Sequence, residues 1–107
     1  MKEFLPKELS FPEVQRLLQG GIGPRPIALV STISKEGVNN LSPFSFYNVF
    51  GANPPIIAFS PSRRGRDASL KDTYLNLIET KECVVQAVTY AMVEQVSLAS
   101  TEYERGI

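Results

Sequence analysis

The chain has 107 residues, enough for one small domain, and its eleven Lys and Arg balance eleven Asp and Glu, so no global field draws it to nucleic acid or an anionic membrane. A hydrophobic fraction of 43%, with six Phe and four Tyr, is that of an ordinary globular domain. Histidine is absent altogether, which removes the commonest general base, the commonest zinc ligand and the Ser-His-Asp arrangement. Chemistry on such a chain calls for a borrowed reactive group, and an organic cofactor can supply one. No charged leader with a long apolar core opens the chain, and no run approaches the ~20 apolar residues that span a bilayer, so a cytoplasmic protein is expected.

In chain order, residues 1–9 read as an extended arm. Ser10 and Glu13 have capping-box spacing at the head of a short helix, with Pro12 in its first turn and Val14, Leu17 and Leu18 on its apolar face. Gly20-Gly21-Ile22-Gly23-Pro24 ends that helix, since glycine tolerates positive φ and proline cannot continue the ladder. The same glycines do not make a dinucleotide fingerprint: they follow a helix, and the third glycine position is Pro26.

Residues 26–33 read as a strand with both faces covered, Ile27, Leu29 and Ser31 on one side and Ala28, Val30 and Thr32 on the other. Ser34-Lys35-Glu36-Gly37 is a tight turn into an antiparallel partner beginning at Val38. Pro43 interrupts that partner and marks a bulge or an edge, with Phe44 to Asn48 continuing beyond it. Asn53-Pro54-Pro55 is a turn, and residues 56–60 have the apolar content of a buried strand. A basic loop, residues 61–69, leads to a helix over residues 72–80, with Leu75 and Ile78 at i, i+3 spacing and Asp72 as its N-cap. Residues 82–88 read as a strand in which Cys83 is a buried structural thiol; as the only cysteine it cannot close an intrachain disulfide. Residues 90–100 read as a helix with Val93, Val96 and Leu98 inward.

This order, with strands joined by short turns, predicts an α+β, mainly β arrangement: an antiparallel sheet or barrel with flanking helices, not a doubly wound fold. Only about four or five strands are counted, few for a closed barrel. Residues 1–107 are therefore read as a single domain, truncated at its C-terminus.

Two segments could carry chemistry. Asn40-Leu41-Ser42-Pro43-Phe44-Ser45-Phe46-Tyr47-Asn48 alternates aromatic with small polar side chains, which suits a planar ligand, and equally suits a half-buried strand with serines toward solvent. Ser60-Pro61-Ser62-Arg63-Arg64-Gly65-Arg66 precedes Ser69, Lys71, Asp72 and Thr73 at a helix start. Arginines, hydroxyls and unpaired helix N–H groups suit a phosphate monoester; a solvated basic loop is the other reading.

Taken together with Arg25-Pro26-Ile27-Ala28-Leu29-Val30-Ser31-Thr32, Asn53-Pro54-Pro55, Ser60-Pro61 and Lys71-Asp72-Thr73, these segments resemble the flavin reductase-like family over residues 24–104. The resemblance implies an FMN-binding split β-barrel, a Greek-key antiparallel barrel with flanking helices, incomplete in this chain. It implies that Ser31, Thr32, Ser45, Phe46, Tyr47 and Asn48 line the flavin ring and ribityl chain, and that Ser60, Arg64, Lys71 and Thr73 face the phosphate. It further implies an NAD(P)H:flavin oxidoreductase, homodimeric, in which the cofactor carries the hydride chemistry with no protein catalytic base and no metal, and which can serve a partner monooxygenase. Family members extend past residue 107, and the remainder supplies further strands and part of the nicotinamide side. Two other expectations stand beside this one: a flavin-binding electron carrier without nicotinamide activity, and a truncated subunit that functions only by pairing with another chain.

Overall fold

The computed structural model describes residues 2–61 and 69–100. After a short 3-10 turn at Pro6–Glu8 comes α1 (Phe11–Gly21). The Ser10 hydroxyl accepts from the Glu13 N–H at 3.4 Å and donates to the Glu13 carboxylate at 3.1 Å, so the cap lies where the spacing places it. Its apolar stripe points outward: Val14 is half-buried, while Phe11, Leu17 and Leu18 are exposed.

The centre of the molecule is β1 (Ala28–Ile33), flanked antiparallel by β2 (Asn39–Phe44) and β5 (Val84–Ala87) in the order β2-β1-β5. With neighbours on both edges, Ala28, Leu29, Val30 and Thr32 are all buried. The β1–β2 turn forms as the sequence implies: the Gly37 N–H donates to the Ser34 carbonyl at 3.0 Å, and Gly37 takes φ +85°, where a side chain is strained. Pro43 lies opposite Leu29 on β2, an edge strand among the described residues, where its missing N–H costs no ladder bond with a third neighbour.

The chain does not continue β2 past Phe44. It bends at Ser45 and Phe46 into a second sheet made of β3 (Tyr47–Ala52) and β4 (Pro55–Phe59), whose register shifts between Val49 and Gly51. A core of Ala28, Val30 and Phe44, with Tyr47, Phe59 and Val85 against it, joins the two sheets, and the Phe44 and Phe59 rings lie 5.2 Å apart. Every strand pairing described is antiparallel, which excludes the doubly wound alternative.

The helix α2 (Asp72–Thr80) packs on β1 and β2 through a polar face. Apolar spacing predicts Leu75 and Ile78 inward; instead Thr73 and Asn76 are buried, at 1% and 2% exposure, while Leu75 is only half-buried and Ile78 is exposed. Buried polar groups are tolerated when paired. Here the Asn76 amide donates to the Thr32 hydroxyl at 3.0 Å, and the Asn40 amide donates to the Thr73 hydroxyl at 2.8 Å. The N-cap is Lys71, not Asp72, which occupies the first helical position.

Three further expectations are corrected. Cys83 is exposed, and so is Val84 where the ladder to β1 begins, because β5 is an edge of the three-stranded sheet among the described residues. Ile56 and Ile57 of β4 are exposed, since β3 and β4 form a two-stranded sheet among the described residues and only the Phe59 end of β4 packs on the core. Residues 90–100 divide into a 3-10 turn at Tyr90–Met92 and α3 (Val93–Ala99), which lies against β2; Val96 is its buried residue, and Val93 and Leu98 are exposed.

Replacing Asn76 by Ala removes the amide that satisfies Thr32, and should lower unfolding stability by about 1–3 kcal/mol. Ile78→Ala on the outer side of the same helix should cost less than about 1 kcal/mol. Urea unfolding of both variants checks this, and equal losses at the two positions would contradict a helix seated by its polar face.

Candidate functional site

The bend between β2 and β3 gathers the polar-aromatic residues at one end of the central sheet. Phe44 ends β2 opposite Ala28, and Ser45, Phe46 and Tyr47 follow half-buried. Asn48 is exposed on β3, and its side-chain Oδ1 accepts from the Val49 N–H at 2.8 Å. The Ser60 N–H donates to the Phe46 carbonyl at 2.8 Å, which brings the start of the basic loop onto the bend.

The far end of the loop returns to the same place. Lys71, held at the head of α2, puts its ammonium 5.2 Å from the centroid of the Phe44 ring. Ser60 and Lys71 therefore bracket residues 44–46 from the two ends of the loop, although eleven positions separate them in sequence. Arg64 lies between them, outside the described residues.

Arg25, a residue the sequence reading did not select for the site, completes the bend. Its guanidinium carbon lies 5.5 Å from the Phe46 ring centroid. Nη1 is buried and has no hydrogen-bond partner among the described residues. A buried donor left unpaired costs about 1–3 kcal/mol, so its survival calls for an explanation.

The other expected residues lie along the seam between sheet and helix. Ser31 is half-buried on β1 between Leu41 and Val84, and Thr32 is buried beneath α2. The hydroxyls of Thr32 and Thr73 each accept from an asparagine amide, so both residues hold α2 in place whatever else they contact. Four residues of strand, about 13 Å, separate Thr32 from Ala28 beside the bend. The structure thus brings Ser45, Phe46, Tyr47, Ser60 and Lys71 together and sets Thr32 apart from them along the strand, with Thr73 at the seam two residues beyond Lys71. Asn76, which positions Thr32, was also missed, and Asn40 was named only within the polar-aromatic segment and not as the partner of Thr73, since only contacts across the fold reveal these pairings.

An open apolar cleft of about 370 Å³ runs between β4 and α2, walled by Ile57, Phe59, Tyr74, Leu77 and Ile78. It approaches the loop at Pro61 but has no charged residue on its walls, so it does not match a phosphate ester. No described helix is long and apolar enough to cross a membrane, and the described residues contain no group of three or more His, Cys, Asp or Glu suited to a metal ion.

Comparison with known proteins defines the class of fold. The crystal structure of nitrilotriacetate monooxygenase component B from Bacillus cereus matches 99% of this chain and 52% of its own, with TM-score 0.88 and 35% identity. Pseudomonas fluorescens 2-nitrobenzoate 2-nitroreductase NbaA matches 95% of this chain and 48% of its own, with TM-score 0.78 and 29% identity. A candidate flavin reductase with a split barrel domain from Shewanella frigidimarina matches at TM-score 0.75 and 22% identity, over 100% of this chain and 52% of its own, a likeness of fold alone.

The fold is therefore an incomplete split β-barrel with flanking helices, of the kind these oxidoreductase proteins share. Among curated sequences, an uncharacterized protein of Aquifex aeolicus is 43% identical over 101 residues, 94% of this chain and 51% of its own length. The uncharacterized protein BH2278 of Halalkalibacterium halodurans is 50% identical over 95 residues, 89% of this chain and 45% of its own. The chain spans about half the length of the curated relatives it matches. No protein-family model matches it.

A double-mutant cycle on Arg25→Met and Phe46→Leu should return a coupling of about 0.5–1 kcal/mol from the cation over the ring. Additive losses in urea unfolding would mean that the guanidinium does not sit there.

Proposed function

We propose that this chain is a flavin reductase-like domain that binds FMN and serves the transfer of hydride or electrons from NAD(P)H to flavin. The convergence of both ends of the basic loop on the polar-aromatic bend carries this reading, because it offers ring support and cationic anchoring within one site. The residues present fit the cofactor: Phe46 and Tyr47 give apolar and aromatic surface, Ser45 a hydroxyl, and Ser60 and Lys71 a hydroxyl and a cation for an anionic group. The orphan Nη1 of Arg25 is a further donor waiting for an acceptor.

FMN, when bound, would supply the hydride-accepting ring, a redox group that no amino-acid side chain provides. The protein's part is to hold and orient. Ser45 and Tyr47 place donors beside the bend, the aromatic side chains keep water from one face, and Lys71 with Ser60 fixes the anionic end. Arg64, and Ser31, Thr32, Asn48 and Thr73 along the strand and seam, stay in this proposal as contacts to the phosphate and to the ribityl chain and ring.

Likeness to a monooxygenase component supports a partner monooxygenase that consumes reduced flavin. The outward apolar stripe of α1 and the exposed faces of β3 and β4 support a homodimer, and a cytoplasmic setting is part of the same proposal. A flavin-binding electron carrier without nicotinamide activity is the second reading.

Added FMN should bind the purified protein with quenched fluorescence, and anaerobic NADH or NADPH should then bleach its visible absorbance. Protein that leaves FMN fluorescence unchanged would sink the flavin reading. Bleaching by dithionite but by neither nicotinamide would select the electron carrier.

A further inference from the structure

Helix α1 turns its apolar stripe to a side that no described element covers. Phe11, Val14 and Leu18 stand at i, i+3 and i+7 with Leu17 beside them, the spacing by which an amphipathic helix sets its anchors into a groove. Phe11, Leu17 and Leu18 are 42–51% exposed, and Ile22 at the helix end is 65% exposed. Whereas α2 and α3 pack on the central sheet, α1 packs closely on none of the described elements. Its exit is uncrowded, since a side chain added at Gly20 or Gly21 would meet nothing within 4 Å. The radius of gyration is 15.4 Å, against about 13 Å for a compact chain of this length, which fits a helix held off the body.

The same chain carries an apolar groove. No charged side chain lines the cleft between β4 and α2, whose exposed walls include Ile57, Tyr74 and Ile78. Glu13 and Arg16 lie off the α1 stripe at helical spacing, so seating the stripe in such a cleft desolvates neither charge. The exposed parts of Phe11, Leu17, Leu18 and Ile22, with those of the three cleft residues, come to roughly 600 Å² per chain. Two reciprocal contacts then cover about 1,200 Å², the size at which specific interfaces begin.

We propose that two copies of this chain exchange α1, the stripe of each helix seated in the β4–α2 cleft of the other about a two-fold axis. A second copy is the occupant that fits, because each chain offers one helix and one cleft and a reciprocal pair leaves neither bare. The homodimer belongs to the reading above; the pairing of helix with cleft rests on these two surfaces alone.

Light scattering on the eluting 107-residue chain should show a dimer that dissociates on dilution. Leu18→Glu on α1 and Ile78→Glu on the cleft should each raise the dissociation constant about 100-fold or more, and Arg16→Glu on the opposite side of α1 should change it less than about threefold. Cross-linking with a short bismaleimide in a Cys83→Ser background reads the partners. Chains bearing Leu18→Cys, mixed with differently tagged chains bearing Ile78→Cys, should link to one another and not to their own kind.

A chain that stays monomeric at every concentration overturns the proposal and the homodimer with it. A dimer that survives both glutamate substitutions, or Leu18→Cys chains that link to each other, overturns the pairing and leaves the homodimer standing. A chain carrying both cysteines that links within itself shows α1 folding back onto its own cleft and overturns the exchange. Should either glutamate variant fail to fold, the cross-links decide alone. FMN quenching, measured alongside, reports on the flavin reading separately from the assembly.

Discussion

The arrangement depends on two amide-to-hydroxyl hydrogen bonds, a buried one from Asn76 to Thr32 and a part-buried one from Asn40 to Thr73. They seat α2 on the central hairpin by a polar face, and with α2 seated, Lys71 at its head has to stand beside Phe44. Apolar packing alone would fix the helix less tightly in rotation and slide. A buried amide has few geometries in which both partners are satisfied, and each unsatisfied one carries the cost of an orphan donor or acceptor. The local specificity of the helix thus becomes the position of a cation some distance from the bonds that set it.

The second constraint is the bend at Ser45 and Phe46. By leaving the first sheet after Phe44 and opening the second at Tyr47, the chain exposes a short polar-aromatic segment at a junction instead of burying it in a ladder. Both termini of the basic loop then meet this junction, one through the Ser60 N–H and one through the Lys71 side chain. Arg25 approaches it from the segment leading into β1. A site assembled from four separate stretches of chain depends on the whole fold for its geometry, which is why stability and ligand affinity should respond together to changes at the seam of α2.

Local signals were legible in the sequence and long-range coverage was not. Ser10 with Glu13 and Gly37 act within a few residues, so the α1 cap and the first hairpin followed directly from residue type. The β-forming run over residues 26–33 likewise announced the central strand, which forms over Ala28–Ile33 with Ala28, Leu29, Val30 and Thr32 buried, while Ile27 and Ile33, expected to be covered, are exposed. By contrast, apolar periodicity misassigned α2, because Thr73 and Asn76 are buried through partners 33 and 44 residues away, which no window along the helix contains. Cys83, Ile56, Ile57, Val93 and Leu98 were expected inside because they are apolar, and hydropathy does not say which neighbour covers a residue. For the site, residue chemistry marked the two segments that hold Ser45, Phe46, Ser60 and Lys71 and the family resemblance singled these residues out, while their convergence is a property of topology. Arg25 escaped notice because its distinguishing feature, a buried N–H without an acceptor, exists only in three dimensions.

Residue-resolved NMR during an FMN titration probes most directly whether the bend and the two ends of the loop act as one site. The backbone amide signals of Ser45, Phe46, Ser60 and Lys71 should move together along a single binding curve. Movement centred on the apolar cleft at Ile57 and Tyr74, with Ser60 and Lys71 unmoved, would contradict the account.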